Sequence, residues 1–548
     1  MCCVPGIGIL RREGNASADS VGTPDRPPDP ACQHGISTSI PIFRGLMTKT
    51  NNILLTCLMM ACLNQYCFSQ LQPPPGSLAE IKETDLKKDL YALASDHFRG
   101  REFGTEDELK AAVWLAEQAR MAGIQPAGDD GTFFQFFNLQ RHRVSPLSTV
   151  EINNKPLALW SDVLVGAAAQ ASVNAEVVIL DKANTADIEK ADLEGKVVAF
   201  IPGYDSINLN VSFPERRFVT GLALRKYLPL LTKKKAAGVI FIVADDFTER
   251  AWTEHVHVTM KRGRYQLYDK QLSLPGRAEM PVFWVRKKDI PSAGAGTSLR
   301  IRANIFTESF LYPSVNVIGK IEGTDPALKK EYVIISGHTD HMGVRETQQG
   351  DSIYNGADDN ASACAAVLGV ARAFRKQPAK RSQLFIFFGA EEPYLFGSAH
   401  YSHYPTVPLK DIVAVLNADM IGRNSPDSVA ILGTNGKQEV SKLLTKLAME
   451  ANTEGPKFLI DTAWDNPSHP EGFFYRSDHA SMVRVGVPSI FFTSVLHPTY
   501  HTPKDEAQFI DYKKLKRITE LMYRVAWKVS NLAERPVMNP EFRYRSGR

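Results

Sequence analysis

Residues 332–343 read YVIISGHTDHMG, a run of β-branched and apolar side chains that stops at a glycine and is followed at once by histidine and aspartate. The same grammar recurs in LFIFFGAEEP (384–393), IVAVLNADM (412–420) and PSIFFTSVLHPTYHTPKD (488–505). Each apolar run is short and apolar at every position, as strands buried on both faces require. Strands are therefore predicted at Tyr332–Ser336, Leu384–Phe388, Ile412–Leu416 and Pro488–Phe492. A helix is predicted from Ala361 to Gln377, where Pro378 ends it. Strands alternating with helices imply an α/β fold, a mostly parallel mixed sheet flanked by helices. In such sheets ligands bind beyond the carboxyl ends of the strands, so chemistry is to be sought in the residues just after each run.

Those residues are acidic or histidine. His338 and Asp340 follow the first run, Glu391 and Glu392 the second, and Asp419 the third. Tyr500 and His501 end the loop after the fourth, and NGADDNAS (355–362) opens the helix with Asp358 and Asp359. Carboxylate oxygens with imidazole nitrogens suit zinc, or manganese or cobalt, without any cysteine. A carboxylate can join two such ions about 3.5 to 4 Å apart, the arrangement that activates water and stabilises a tetrahedral intermediate.

Working towards the N-terminus, helices are predicted from Leu86 to Leu93 and from Glu106 to Met121, and a strand from Thr132 to Leu139. Between about 150 and 305 the texture changes to short β-rich runs, Val177–Leu180, Val197–Ile201, Val239–Val243 and Val282–Val285, separated by turn residues. The predicted organisation is thus an N-terminal part of the main domain at 70–149, an insert at 150–305 and the remainder at 306–548. The last helix is expected at Tyr512–Ala533.

Hydrophobic residues at 44% and charged residues at 23% match a globular chain. A formal charge of +4 over 548 residues excludes a basic footprint for nucleic acid. Six of the seven cysteines precede residue 70 and only Cys364 lies beyond, so no disulfide framework is expected. From Met47 the sequence MTKTNNILLTCLMMACLNQYCFSQ has a basic start, an apolar stretch and small residues before Gln70, the pattern of a secretory signal over 47–69. The stretch is too short for a stable membrane span, and a lipoprotein cut at Cys62 is the weaker alternative. Residues 1–46 then read as an upstream extension. A secreted or periplasmic protein is expected.

In this order, GHTDHMG, GADDNAS, GAEE, NADM and YHTPKD resemble the di-zinc exopeptidases of family M twenty-eight, which include bacterial leucyl aminopeptidases and glutamate carboxypeptidase. LYALASDHFRGREFGTEDELKAA (90–112) is similar to that family's N-terminal segment, and LEGKVVAFIPG (193–203) with KKKAAGVIFIV (233–243) resemble a protease-associated domain. The resemblance implies two Zn2+ per chain, held by His338, Asp358, Glu392, Asp419 and His501. It pairs Asp419 with His338 and Glu392 with His501, and makes Asp358 the bridge. Glu391 would be the catalytic base, Asp340 would orient His338 from behind, and Tyr500 would donate to the oxyanion. A non-proline cis peptide is implied where Asp359 adjoins the bridge. Peptides would be the substrates and an aminopeptidase the activity, with a carboxypeptidase, a dipeptidase or a metal-free receptor-like binding protein as alternatives. A related single-metal glutaminyl cyclase is disfavoured by retention of both His338 and Asp358.

Two groupings are set aside. His255 and His257 read as strand histidines without acidic partners. Ser477, Asp478 and His479 are contiguous and so cannot converge as a serine triad; the resemblance makes them part of the substrate-pocket wall. Cys364, between alanines in a helix, reads as packed core.

Overall fold

The apolar runs form strands because they are too short for buried helices and rich in β-branched and aromatic side chains, which pack well on both faces of a sheet. The computed structural model describes residues 75–166, 170–183, 185–202, 213–243, 261–269, 280–290, 298–348 and 350–544. The signal region, the upstream extension and His255 and His257 lie outside these residues. The elements that matter are α1 (Glu83–Leu93), α2 (Glu106–Met121), β1 (Phe134–Val144), β2 (Thr307–Ile321), β3 (Tyr332–His338), α3 (Ala363–Lys376), β4 (Ser382–Phe388), β5 (Ile412–Ala418), β6 (Ser428–Leu432), β7 (Ser489–Thr493) and α4 (Tyr512–Asn531).

The main sheet has ten strands in a mixed arrangement. Its centre runs β7-β5-β3-β4, all parallel, so the four strands read from the sequence are neighbours and end on the same edge. Antiparallel strands flank them, β6 beside β7 and β2 then β1 beside β4. Alternate residues feed two cores. Val333, Ile335, Phe385 and Phe387 pack with α1, α2, α3 and α4 on one face. Ile334, Leu384, Ile386 and Phe388 pack with Tyr401 and Met482 on the other. Each of these side chains is at most 1% exposed, and burying one contributes about 1.5–3 kcal/mol.

Within 149–305 the chain builds a second, eight-stranded sheet with cores of its own on its two faces. Ala199, Ile240 and Phe283 face one, while Val198, Phe241 and Trp284 face the other against Tyr227 and Leu231 of the helix Phe213–Lys233. The strand Arg264–Leu267 leaves that sheet and adds to β1 of the main one. Beside it Arg262 pairs with Glu102 and donates to the Val344 carbonyl. No helix among the described residues is long and apolar enough to cross a membrane.

Candidate metal centre

Beyond β3 the chain turns so that His338 and His341 both face the sheet edge, each at most 1% exposed. His338 Nε2 lies 3.2 Å from Asp359 Oδ1 and 3.4 Å from Asp419 Oδ1. His501 Nε2 lies 3.1 Å from Asp359 Oδ2 and 3.1 Å from Glu392 Oε2. Glu391 Oε2 is 4.0 Å from His338 Nε2. Two groups that could each hold an ion result, His338 with Glu391 and Asp419, and His341 with Asp359, Glu392 and His501. Of the residues expected at the site, His338, Glu391, Glu392, Asp419 and His501 come together.

Asp358 does not join them, and the central carboxylate is its neighbour. Asp358 Oδ1 accepts the Gly422 N–H at 2.6 Å, and Oδ2 is 3.4 Å from His497 Nε2. The backbone here is not helical, with Asp359 at φ −105°, ψ 90° and Asn360 at φ −133°, ψ 35°, so successive side chains leave on different sides. The cis peptide lies between Asp359 and Asn360. Asp505 fixes this turn by accepting the N–H groups of Asp358 and Asp359. The sequence analysis put the bridging role on Asp358, whereas the carboxylate that faces both His338 and His501 is that of Asp359; two adjacent aspartates differ only in where the backbone aims them.

Asp340 also acts differently from expectation. Its main-chain oxygen, 3.0 Å from His338 Nδ1, is the atom that meets the imidazole, while its carboxylate stands 3.8 Å away. The carboxylate instead accepts the N–H groups of Glu391 and Glu392 at 2.9 and 3.2 Å. His341, Arg101 and Arg476 were missed. His341 Nδ1 is 2.8 Å from Glu392 Oε1, and its position three residues after His338 was the available signal. Arg101 is fully buried and donates to the carbonyls of Leu93, Thr339, Asn355 and Gly356, binding the His338 loop to the Asp359 turn. Arg476 Nη2 donates to Tyr500 Oη at 3.2 Å while Nη1 pairs with Glu471 at 2.5 Å. Tyr500 stacks on His501 with ring centroids 3.7 Å apart.

The buried charges of the cluster perturb one another strongly. Burial pushes the Glu391 carboxyl well above its ordinary range, and Asp419, Asp478 and Glu392 push it further against the pull of His338. Burial would lower the His338 imidazole, but Asp419 and Glu391 overcome that and hold it well above its usual value. For Asp359, burial is outweighed by His341, His338 and His501, which hold it well below the carboxylate range. Asp340 and Asp478, both buried, are pushed up to about 7. Buried His338 Nε2 and Asp419 Oδ1 face each other across 3.4 Å inside the cluster. Three imidazoles and four carboxylates gathered in this way fit divalent cations of the zinc type. The triplet Ser477, Asp478 and His479 is buried, with Ser477 Oγ accepting from Asn417 at 2.8 Å, and Cys364 is packed in α3.

Residues 316–526 match the model of Peptidase family M28. Aminopeptidase YwaD of Bacillus subtilis (strain 168) is 26% identical over 264 residues, 47% of this chain and 53% of that protein. A probable leucine aminopeptidase of Trichophyton verrucosum (strain HKI 0517) is 24% identical over 257 residues, 45% of this chain and 65% of its own. The chain thus spans between half and two thirds of the length of these curated relatives. Among solved structures, an aminopeptidase from Aneurinibacillus sp. strain AM-1 shares the fold at a TM-score of 0.54 and 20% identity, over 86% of this chain and 99% of that one. A zinc aminopeptidase from Bacillus subtilis does so at 0.50 and 17%, over 83% and 97%. The match begins in β2 and runs through every strand and loop that supplies the cluster, so residues 316–526 are the part of this chain that is similar to peptidase family M28.

Proposed function

We propose that this chain is an exported aminopeptidase that uses two zinc ions, with manganese or cobalt as substitutes. The observation that carries the reading is the Asp359 carboxylate, one oxygen 3.2 Å from His338 and the other 3.1 Å from His501. His338 and Asp419 would hold one ion, His501 and Glu392 the other, and Asp359 would serve both. When bound, the ions would supply Lewis-acid polarisation of the scissile carbonyl and acidify the attacking water.

The remaining work falls to side chains. Glu391, 8% exposed, takes the proton of the attacking water on its carboxylate and returns it to the leaving amine. A buried carboxyl with its pKa pushed upward suits both transfers. Tyr500 Oη, polarised by the hydrogen bond it accepts from Arg476, is the donor to the developing oxyanion. Because Glu471 and Tyr500 already engage the Arg476 guanidinium, this cation is committed rather than open to a substrate's terminal carboxylate. That, with the names of the relatives, favours aminopeptidase over carboxypeptidase. The second sheet, with its own cores, is read as a protease-associated unit.

The test compares a free peptide with its N-acetylated form on zinc-loaded protein. Release of the N-terminal residue from the free peptide alone is expected. Cleavage of the acetylated peptide from its C-terminus would overturn the assignment, and a well-folded protein that binds no zinc would favour a receptor-like role. Export from the segment at Met47 predicts a mature N-terminus near Gln70, readable by N-terminal sequencing.

A further inference from the structure

We propose that Glu108 is a positioning residue that, together with Asn316, fixes the backbone of the Glu391 loop. Glu108 sits in the first turn of α2 and is fully buried. A glutamate at such a position ordinarily caps its helix from the surface, where one oxygen suffices and burial is unnecessary. Here Oε2 accepts the N–H of Gly104, one residue before the N-cap Thr105, at 2.7 Å. The other oxygen crosses to the catalytic loop, accepting Ser314 Oγ at 2.7 Å and the Ala390 N–H at 3.2 Å. Asn316 Oδ1 accepts the Gly389 N–H at 3.0 Å. With the two bonds to Asp340, four consecutive amides, Gly389 to Glu392, each end on a buried side-chain acceptor.

The fit is close. A Cβ on Gly389 would lie 2.6 Å from Glu108 Oε1 and 2.4 Å from the Val315 carbonyl. One on Gly397 would lie 2.4 Å from Asn316 Oδ1. Ala390 holds φ 51°, a left-handed conformation that a non-glycine residue keeps only when its surroundings impose it. The fixed amide of Ala390 supplies that constraint one residue before the group that moves the proton. The inference rests on Glu391 being the base proposed above.

The test uses Glu108→Met, which keeps volume and removes both acceptors, beside Glu108→Gln, whose single oxygen can still serve Ala390. In zinc-loaded, folded protein E108M should lower kcat about ten- to hundredfold, the range expected for a misplacement near 1 Å, with KM within about twofold. Metal content should match the parent, E108Q should regain most of the rate, and hydrogen exchange at Ala390–Glu392 should quicken in E108M. A kcat within about twofold of the parent, or unchanged exchange at these amides, overturns the proposal. If E108M does not fold, N316A is judged by the same two readings. A parent protein inactive with zinc would refute the aminopeptidase reading, whereas the exchange comparison would still decide the role of Glu108.

Discussion

The carboxylate of Asp340 accepts the backbone N–H of Glu391 at 2.9 Å, which ties the loop after β3 to the loop after β4 beside the base itself. Neither loop can shift alone. The histidine that would hold a cation and the glutamate that would move a proton keep a fixed separation because one side chain spans both loops.

Glu391→Gln should retain two zinc ions and lose turnover by a factor of about 10²–10⁴, the usual worth of a positioned acid–base group. Metal analysis and steady-state rates on the same preparation check it. Loss of metal parallel to loss of rate would make Glu391 a ligand.

Asp359 and Asp358 should behave differently on conversion to Asn. Asp359 faces both histidines, so D359N should weaken binding of both ions, whereas D358N can still accept the Gly422 N–H and should keep them. Isothermal titration of the metal-free variants with zinc separates the two.

Arg101→Met removes a donor from four buried carbonyls, of which that of Gly356 keeps the Ala361 N–H. A loss of about 3 kcal/mol or more is expected in denaturant unfolding, with weaker zinc affinity as the His338 loop and Asp359 turn part. R101K should rescue little, because an ammonium cannot reproduce the planar fork.

Stability should fall in acid through His479. Burial lowers its imidazole to about 3, against an ordinary value of 6.5. Between these values the unfolded chain holds one more proton than the folded one, so this contribution is complete above pH 6.5 and drains away as pH drops towards 3. The slope should be about 1.4 kcal/mol per pH unit from this group. His479→Leu should remove one proton from the pH dependence of unfolding measured between pH 4 and 6.

Chelation should lower the thermal midpoint, and added zinc should restore it. An ion at a hundredfold excess over its dissociation constant contributes about 2.7 kcal/mol for each independent site.

Most of the fold was legible because buried strands and amphipathic helices write their burial into residue type. The predicted strand at Tyr332–Ser336 became β3, and the predicted helix at Glu106–Met121 became α2. The alternating edges of the second sheet, and the strand Arg264–Leu267 that crosses to β1, follow from tertiary pairing and leave no local pattern. The acidic and histidine side chains that gather were readable from the strand ends, and aim was not: Asp358 and Asp359 are chemically alike, and Asp340 showed no sign that its carboxylate would serve Glu391 and Glu392. Glu108 and Arg101 look like surface residues of a polar N-terminal stretch until folding encloses them.

The cluster draws on loops from His338 to His501, each following a different strand. A nascent chain that stops short of the last loop has made the carboxylates without the imidazole that completes the second group. Whatever hydrolytic power the protein has must therefore arrive all at once, with closure of its final strand, and a truncated product should be inert rather than partly active.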